Sequence, residues 1–296
     1  MRKTAVVTAG TGGIGLETAL GLAAAGFSVT VVGRDPDRGA RAVERISAVD
    51  PSRPARFVQA DLGSLGQVRA LAARLADDPL TVLVNNVGAM FPRQTELNGV
   101  EASFVVNHLS PYLLTELLLP ALKAGAPSRI VNVTSGAVGV AKRVFDSVEP
   151  PGGYYGFHWY GRAKLAHLAH TLDLARRLDG TGVSVFAADP GGAATEMTDN
   201  TLTDPAIVSP ALRLLWPLVR RRFERSTSGS ASVAARPSIV AATDPALDGR
   251  TGVVIGADAQ PHAPFRAATD PRTAAAVRRL SEQYAPVPAH ADGPSD

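Results

Sequence analysis

The chain has 296 residues, 45% hydrophobic and only 5% aromatic, with 28 Gly and 22 Pro, which supports one globular core of small residues with frequent turns and excludes wholesale disorder. Its 30 Lys and Arg against 27 Asp and Glu leave a net charge of +3, so charge gives no reason to expect a nucleic-acid partner. The absence of cysteine excludes disulfides, a thiolate nucleophile and Cys-ligated zinc and fits a cytoplasmic setting, while the apolar run after the basic start is too short for a signal segment or a membrane span.

The β-branched run at 4–8 reads as a buried strand, and the glycines after it lead into an apolar helix over 16–25. Strand 29–32, amphipathic helix 37–49, strand 55–59, helix 65–75 and strand 80–84 follow. A long helix over 105–122, strand 129–133, helix 160–178 and strand 183–187 come next, and 253–255 closes the sheet. This alternation predicts a single-domain, doubly wound α/β fold with a mainly parallel sheet and helices on both faces. No repeat or linker divides the chain, so the domain is expected over 1–284, with a flexible, proline-containing tail over 285–296. Two segments break the rhythm, 141–157 and 197–236, and the second is expected to be a substrate lid. Within it, residues 212–225 mix Leu214, Leu215, Trp216 and Phe223 with Arg213, Arg220, Arg221 and Arg222. A membrane-surface helix is one reading; because Pro217 would interrupt it, a lid helix is favoured.

Gly10, Gly12 and Gly15 satisfy G-x-G-x-x-G between a strand and a helix, with Thr11, Gly13 and Ile14 filling the turn. Glycines there let a pyrophosphate approach the backbone at a helix N-terminus; an ordinary glycine-rich turn is the alternative. Tyr160 and Lys164, four residues apart on one helix, could bring an ammonium beside a phenol and favour phenolate below its ordinary pKa near ~10, as a general acid/base requires. Taken alone, such a pair favours a surface position on an amphipathic helix over a catalytic one. Ser135 follows a buried strand and would stand at its carboxyl end, where open α/β sheets bind ligands. His167 and His170 lack an acidic neighbour in sequence, which favours packing over a metal site, and no G-x-S-x-G elbow suggests a hydrolase.

Together these motifs resemble the short-chain dehydrogenase/reductase family, most closely its retinol-dehydrogenase-like branch, over residues 4–244. The family's T-G-x-x-x-G-I-G turn falls on residues 8–15, with Ala9 in place of the first glycine. Its N-N-A-G segment falls on Asn85, Asn86, Val87 and Gly88, its serine segment on residues 131–135, its Y-x-x-x-K pair on Tyr160 and Lys164, and a later segment on Pro190, Gly191 and Thr195. The resemblance implies a Rossmann fold with Ser135 orienting a substrate oxygen, Asn107 holding a water linked to Lys164, and Asp61 and Leu62 contacting an adenine, although Asp61 could equally cap a helix. It implies hydride transfer between a nicotinamide and a small-molecule carbonyl or alcohol, with Tyr160 as general acid/base. Gly33 stands where the family places the acid that selects NAD, and Arg34 follows it, so NADP(H) is expected over NAD(H) despite Asp35. A non-catalytic NADP-binding scaffold and a same-fold isomerase or lyase are the competing readings, and a homo-oligomer is compatible with all of them.

Overall fold

Short β-branched runs build the sheet, because branched side chains pack well on a pleated surface covered on both faces. The computed structural model describes residues 3–149, 152–191, 207–210 and 230–287. Its first half places β1 (Thr4–Thr8), α1 (Gly13–Ala24), β2 (Ser28–Gly33), α2 (Pro36–Ser47), β3 (Arg56–Gln59), α3 (Leu65–Leu75) and β4 (Val82–Asn85) in strict alternation. A small hairpin, β5 (Glu96–Leu97) and β6 (Val100–Glu101), then leads into α4 (Ala102–Phe104), a π-helical turn (Val105–Leu109) and α5 (Ser110–Ala124). The second half contains β7 (Ser128–Val133), a 3₁₀ turn (Gly136–Val140), α6 (Gly156–Arg177), β8 (Val183–Ala188), α7 (Ala231–Thr243), β9 (Val253–Ile255), β10 (Pro261–His262) and α8 (Pro271–Tyr284).

The strand order is β10-β9-β8-β7-β4-β1-β2-β3, with every pair parallel except β10 with β9. Alternate residues of each strand serve opposite faces. Val6, Leu83 and Ile130 pack with Leu113, Leu118 and Leu165 on one side, and Val7, Val84 and Val131 with Leu22 and Ile46 on the other. β1 lies between β2 and β4, in register at Val6 with Thr30 and Leu83. The strand order therefore reverses beside β1, and a crevice opens at the carboxyl ends of β1 and β4.

The expected doubly wound α/β architecture is present, and its differences from the sequence reading have local causes. α6 begins at Gly156 rather than 160, because a glycine followed by bulky aromatic residues reads as loop until the packing of Phe157 and Trp159 is known. The long helix expected over 105–122 runs from Ala102 to Ala124 with an inserted π turn that carries Asn107. α7 and α8 were not anticipated: Pro237 inside α7 disguises it, yet α7 packs along α1. Residues 231–236 of the expected lid are thus part of a core-packing helix. The rest of that segment apart from 207–210 and 230, including 212–225, lies outside the described residues. The expected flexible tail is docked at its start, where Ala285 is buried, Val287 packs against the core and Arg69 Nη2 donates to the Pro286 carbonyl at 2.6 Å; residues 288–296 lie outside the described residues. Among the described residues no helix is long and apolar enough to cross a membrane.

α8 docks through a buried histidine cluster. Ser281 Oγ donates to the Val277 carbonyl at 2.8 Å and so accepts from His108 Nε2 at 2.7 Å, which fixes the His108 tautomer. Its ring centroid lies 6.3 Å from that of His167 and 6.1 Å from that of His170. Burial holds His108 and His167 well below the ordinary imidazole range and His170 down to about 3. The unfolded chain therefore binds protons that the folded chain refuses, so stability is full above the unfolded value near ~6.5 and falls as pH drops towards the folded one, by up to ~1.4 kcal/mol per pH unit for each histidine. Urea denaturation at pH 7, 6 and 5 should show this decline, and His170→Leu should flatten its slope by one proton's worth; an unchanged slope would count against the cluster as its source.

Candidate active site

The glycine turn between β1 and α1 sits at the crevice. Gly12 is the N-cap of α1 and no side chain caps it, so the first amides of the helix face the crevice mouth, where an anion can accept from them. The turn is tight because a Cβ at Gly15 would stand 2.3 Å from the Ala9 carbonyl oxygen. Ala9 itself takes a left-handed φ of 49°, which a glycine would adopt without strain. Asn86 Nδ2 donates to the Thr8 and Ala9 carbonyls at 3.2 and 3.3 Å, and Thr8 Oγ1 accepts from the Asn86 amide at 2.9 Å. The two loops at the switch point are thereby tied together.

At the end of β2 the structure explains why no acid stands at Gly33: an added Cβ would lie 2.7 Å from Thr11 Cγ2. Asp35 is occupied as the N-cap of α2, its Oδ1 accepting from the Asp37 and Arg38 amides at 2.9 and 3.0 Å, and these bonds with nearby arginines lower its pKa. Arg34 is exposed. Arg38, unanticipated from the sequence, reaches to 2.5 Å of the position a Gly12 Cβ would take. A cleft of about 370 Å³ is lined there by Thr11, Leu16, Arg38, Arg41, Ala42 and Arg45. Arginines beside an uncapped helix start suit a ligand that carries phosphates, and the residues present fit a phosphorylated dinucleotide. Asp61 caps no helix: its Oδ1 accepts from the Gly63 amide at 2.9 Å, and Ser64 caps α3. Leu62 beside it is buried.

Ser135, Tyr160, Lys164 and Asn107 are brought to the same region. Ser135 begins the 3₁₀ turn after β7 and accepts from the Ala137 amide at 3.2 Å. Tyr160 is 6% exposed; burial pushes its phenol up to about 12, a hydrogen bond with Ser135 opposes this, and the Asp189 carboxylate adds to it. Lys164 is fully enclosed, its Nζ donating to the Val87 and Val133 carbonyls at 3.0 and 2.9 Å, and burial lowers it to about 7. The expected lowering of the phenol by this ammonium is not what the structure shows, because the amine turns to the strand-end carbonyls while the phenol faces Ser135. The Asn107 amide grips Ala89, accepting from its N–H at 3.0 Å and donating to its carbonyl at 2.8 Å, with a further bond to the Ser103 carbonyl at 2.9 Å.

Pro190 and Gly191 follow β8, with Gly191 donating to Asp189 Oδ1 at 3.0 Å, so they border the same edge of the sheet. Thr195 lies outside the described residues. Ala137, Phe157, Tyr160, Ile207 and Val208 form an apolar cluster joined by Met90 and Val140. His158 bridges its two walls, with Nδ1 3.0 Å from the Val140 carbonyl and Nε2 accepting from the Ser209 amide at 3.2 Å. Asp189 and His158 were missed because no local pattern marks them; only the fold brings the Asp189 carboxylate to act on Tyr160 and sets Val140 and Ser209 against His158.

A family model described as short chain dehydrogenase matches residues 3–206. Retinol dehydrogenase 12 of Mus musculus is 38% identical over 231 residues, 77% of this chain and 71% of that one. A crystal structure of an uncharacterized protein from Mycobacterium Paratuberculosis superposes with a TM-score of 0.74 at 27% identity, covering 96% of this chain and 93% of that one. The Pseudomonas aeruginosa RhlG/NADP active-site complex does so at 0.66 and 28%, covering 86% and 94%.

Because Ala9 carries a Cβ at positive φ, Ala9→Gly should remove a left-handed penalty of about 1 kcal/mol, which is larger than the entropy glycine adds to the unfolded chain. Thermal denaturation should show a higher midpoint for the variant; a lower one would mean that the turn carries no strain.

Proposed function

Because the chain belongs to the short-chain dehydrogenase family, on its retinol-dehydrogenase-like branch, we propose that this oxidoreductase uses NADP(H) to interconvert an apolar carbonyl compound and its alcohol. The observation that carries the cofactor choice is the end of β2, where Thr11 fills the space an acid at position 33 would need, Asp35 caps α2, the exposed Arg34 follows Gly33, and Arg38 reaches the Gly12 position of the turn. Two guanidinium groups there favour a 2′-phosphate. A relative of known structure is described as an NADP active-site complex, in keeping with this choice.

The nicotinamide, when bound, supplies or accepts the hydride. Gly10, Thr11, Gly12, Gly13, Ile14 and Gly15 would hold the pyrophosphate, Asp61 and Leu62 the adenine, and Asn86, Val87, Gly88, Pro190, Gly191 and Thr195 the nicotinamide half. Ser135 donates to the substrate oxygen and orients it. Tyr160, protonated at neutral pH because burial raises its phenol, gives that oxygen its proton in reduction. Lys164 holds the ribose and supports the phenol once a substrate draws Tyr160 and the ammonium into one chain of hydrogen bonds. Asn107 keeps Ala89, and with it the loop after β4, at the distance this requires. The apolar wall of Met90, Val140, Phe157, Ile207 and Val208 and the name of the mouse relative, retinol dehydrogenase, both favour a substrate with little polarity beyond its reacting oxygen.

Arg34→Ala and Arg38→Ala should each weaken NADPH by one to two decades, about 1.5 to 3 kcal/mol, while leaving NADH nearly unchanged. Fluorescence titration measures both; tighter NADH binding by the unmodified protein would reverse the cofactor assignment. Tyr160→Phe keeps the ring and removes the hydroxyl, so NADPH binding should persist while turnover falls roughly 10²- to 10⁴-fold. NADPH oxidation at 340 nm with a panel of apolar aldehydes and ketones reads this, and turnover at the unmodified rate would exclude Tyr160 as the acid.

A further inference from the structure

Arg162 stands on α6 between Tyr160 and Lys164, yet it is turned away from the apolar cluster around the phenol and is 2% exposed. Its Nε and Nη2 donate to the Val144 carbonyl at 3.0 and 2.8 Å, Nη2 also to Ser147 at 2.6 Å, and Nη1 to Val148 at 2.5 Å. The guanidinium carbon lies 4.5 Å from the Phe145 ring centroid and 5.5 Å from that of Phe104. Glu101, 1% exposed, caps α4 by accepting from the Ser103 and Phe104 amides at 2.7 and 2.9 Å and acts electrostatically on Arg162.

A buried cation is costly, and an apolar side chain would fill the space between two phenylalanine rings without that cost. What an apolar side chain cannot do is pair carbonyls. Residues 141–149 form neither helix nor strand, so inward-facing carbonyls of this segment need donors from elsewhere, and a guanidinium fork reaches three of them at once. These contacts join three pieces of chain. The segment 144–148 continues from the 3₁₀ turn that Ser135 opens; α6 carries Tyr160 and Lys164; Glu101 and Phe104 start the helix whose π turn carries Asn107.

We propose that Arg162 is a positioning residue for the reaction, a strut that holds the elements bearing Ser135, Tyr160 with Lys164, and Asn107 in one fixed arrangement. This rests on the assignment of those four residues to the reaction centre. Arg162 touches neither substrate nor cofactor, so its effect is on turnover and not on binding.

Arg162→Lys keeps the charge and loses the fork. The expected result is a fall in kcat of roughly 10- to 100-fold per NADPH-binding site, the scale of an ångström-sized misplacement, with KM and the NADPH Kd changed less than about threefold. Counting sites by NADPH titration removes any loss that comes merely from misfolded protein. Hydrogen exchange measured without carbonyl substrate should be at least about tenfold faster at residues 103–109 and 156–160, where local opening is now easier. Phe145→Leu, which retains the guanidinium and loosens its stacking, should show the same pattern at about three- to tenfold, and it decides the matter if the lysine variant does not fold. A kcat per site within about twofold of the unmodified protein, or exchange unchanged at those two helix starts, overturns the strut. Failure of the underlying assignment looks different: Tyr160→Phe would keep its turnover, whatever exchange does in Arg162→Lys.

Discussion

Parallel pairing of β1 with both β2 and β4 is the constraint on which the remaining structure depends. A parallel ladder cannot be closed by a tight hairpin, so each strand must return through a crossover over one face of the sheet. All strand carboxyl ends from β3 to β9 then open on one edge. The crossovers leave β1 in opposite directions at its two sides, which parts the loops above it. The glycine turn after β1, the Asn86 loop after β4, Ser135 after β7 and Pro190 after β8 meet at that edge for this topological reason, although up to about 180 residues separate them in sequence.

Where the ladders stop, backbone groups still need partners, and side chains take over. Thr8 Oγ1 and Asn86 join the β1 and β4 loops, Lys164 pairs the Val87 and Val133 carbonyls, and Asn107 serves both polar groups of Ala89. A further buried network links Asn85 to Thr115 and Asn132, and Asn132 to Thr171, across the sheet and two helices. Each of these side chains satisfies a polar group that the ladders leave open. The polar residues there are not an addition to a finished scaffold; removing one leaves backbone groups unsatisfied in a place where water is excluded.

The electrostatics of the centre follow from the same enclosure. Burial raises Tyr160 to about 12 and lowers Lys164 to about 7, opposite directions for an acid and a base, because a poorly solvated region disfavours charge of either sign. Both groups are thereby moved toward their neutral forms, and a charge of either sign at this place needs a partner beside it. At the other end of the crevice the arginines of α2 border an open cleft, where solvent and a bound phosphate can share their charge.

Much of this was determined by the sequence alone. Alternating β-branched runs and apolar helices report the doubly wound fold because burial on both faces of a parallel sheet leaves a one-dimensional trace, and the glycine turn, the serine segment and the Tyr160 and Lys164 pair mark the candidate site through the ordered set of family segments that they resemble together. The positive φ of Ala9 belongs to the turn between β1 and α1 and is likewise a local feature. Other features were decided only when distant segments met. The direction of Lys164 depends on carbonyls 77 and 31 residues away, the role of Asn107 on a loop 18 residues earlier, and the docking of α8 on a hydrogen bond between residues 173 positions apart. Arg38 and Arg162 read in sequence as ordinary helix-surface arginines, since charge is normally solvated. Whether such a side chain faces water, a phosphate cleft or three buried carbonyls is fixed by what the fold packs against it, and no pattern within its own helix encodes that.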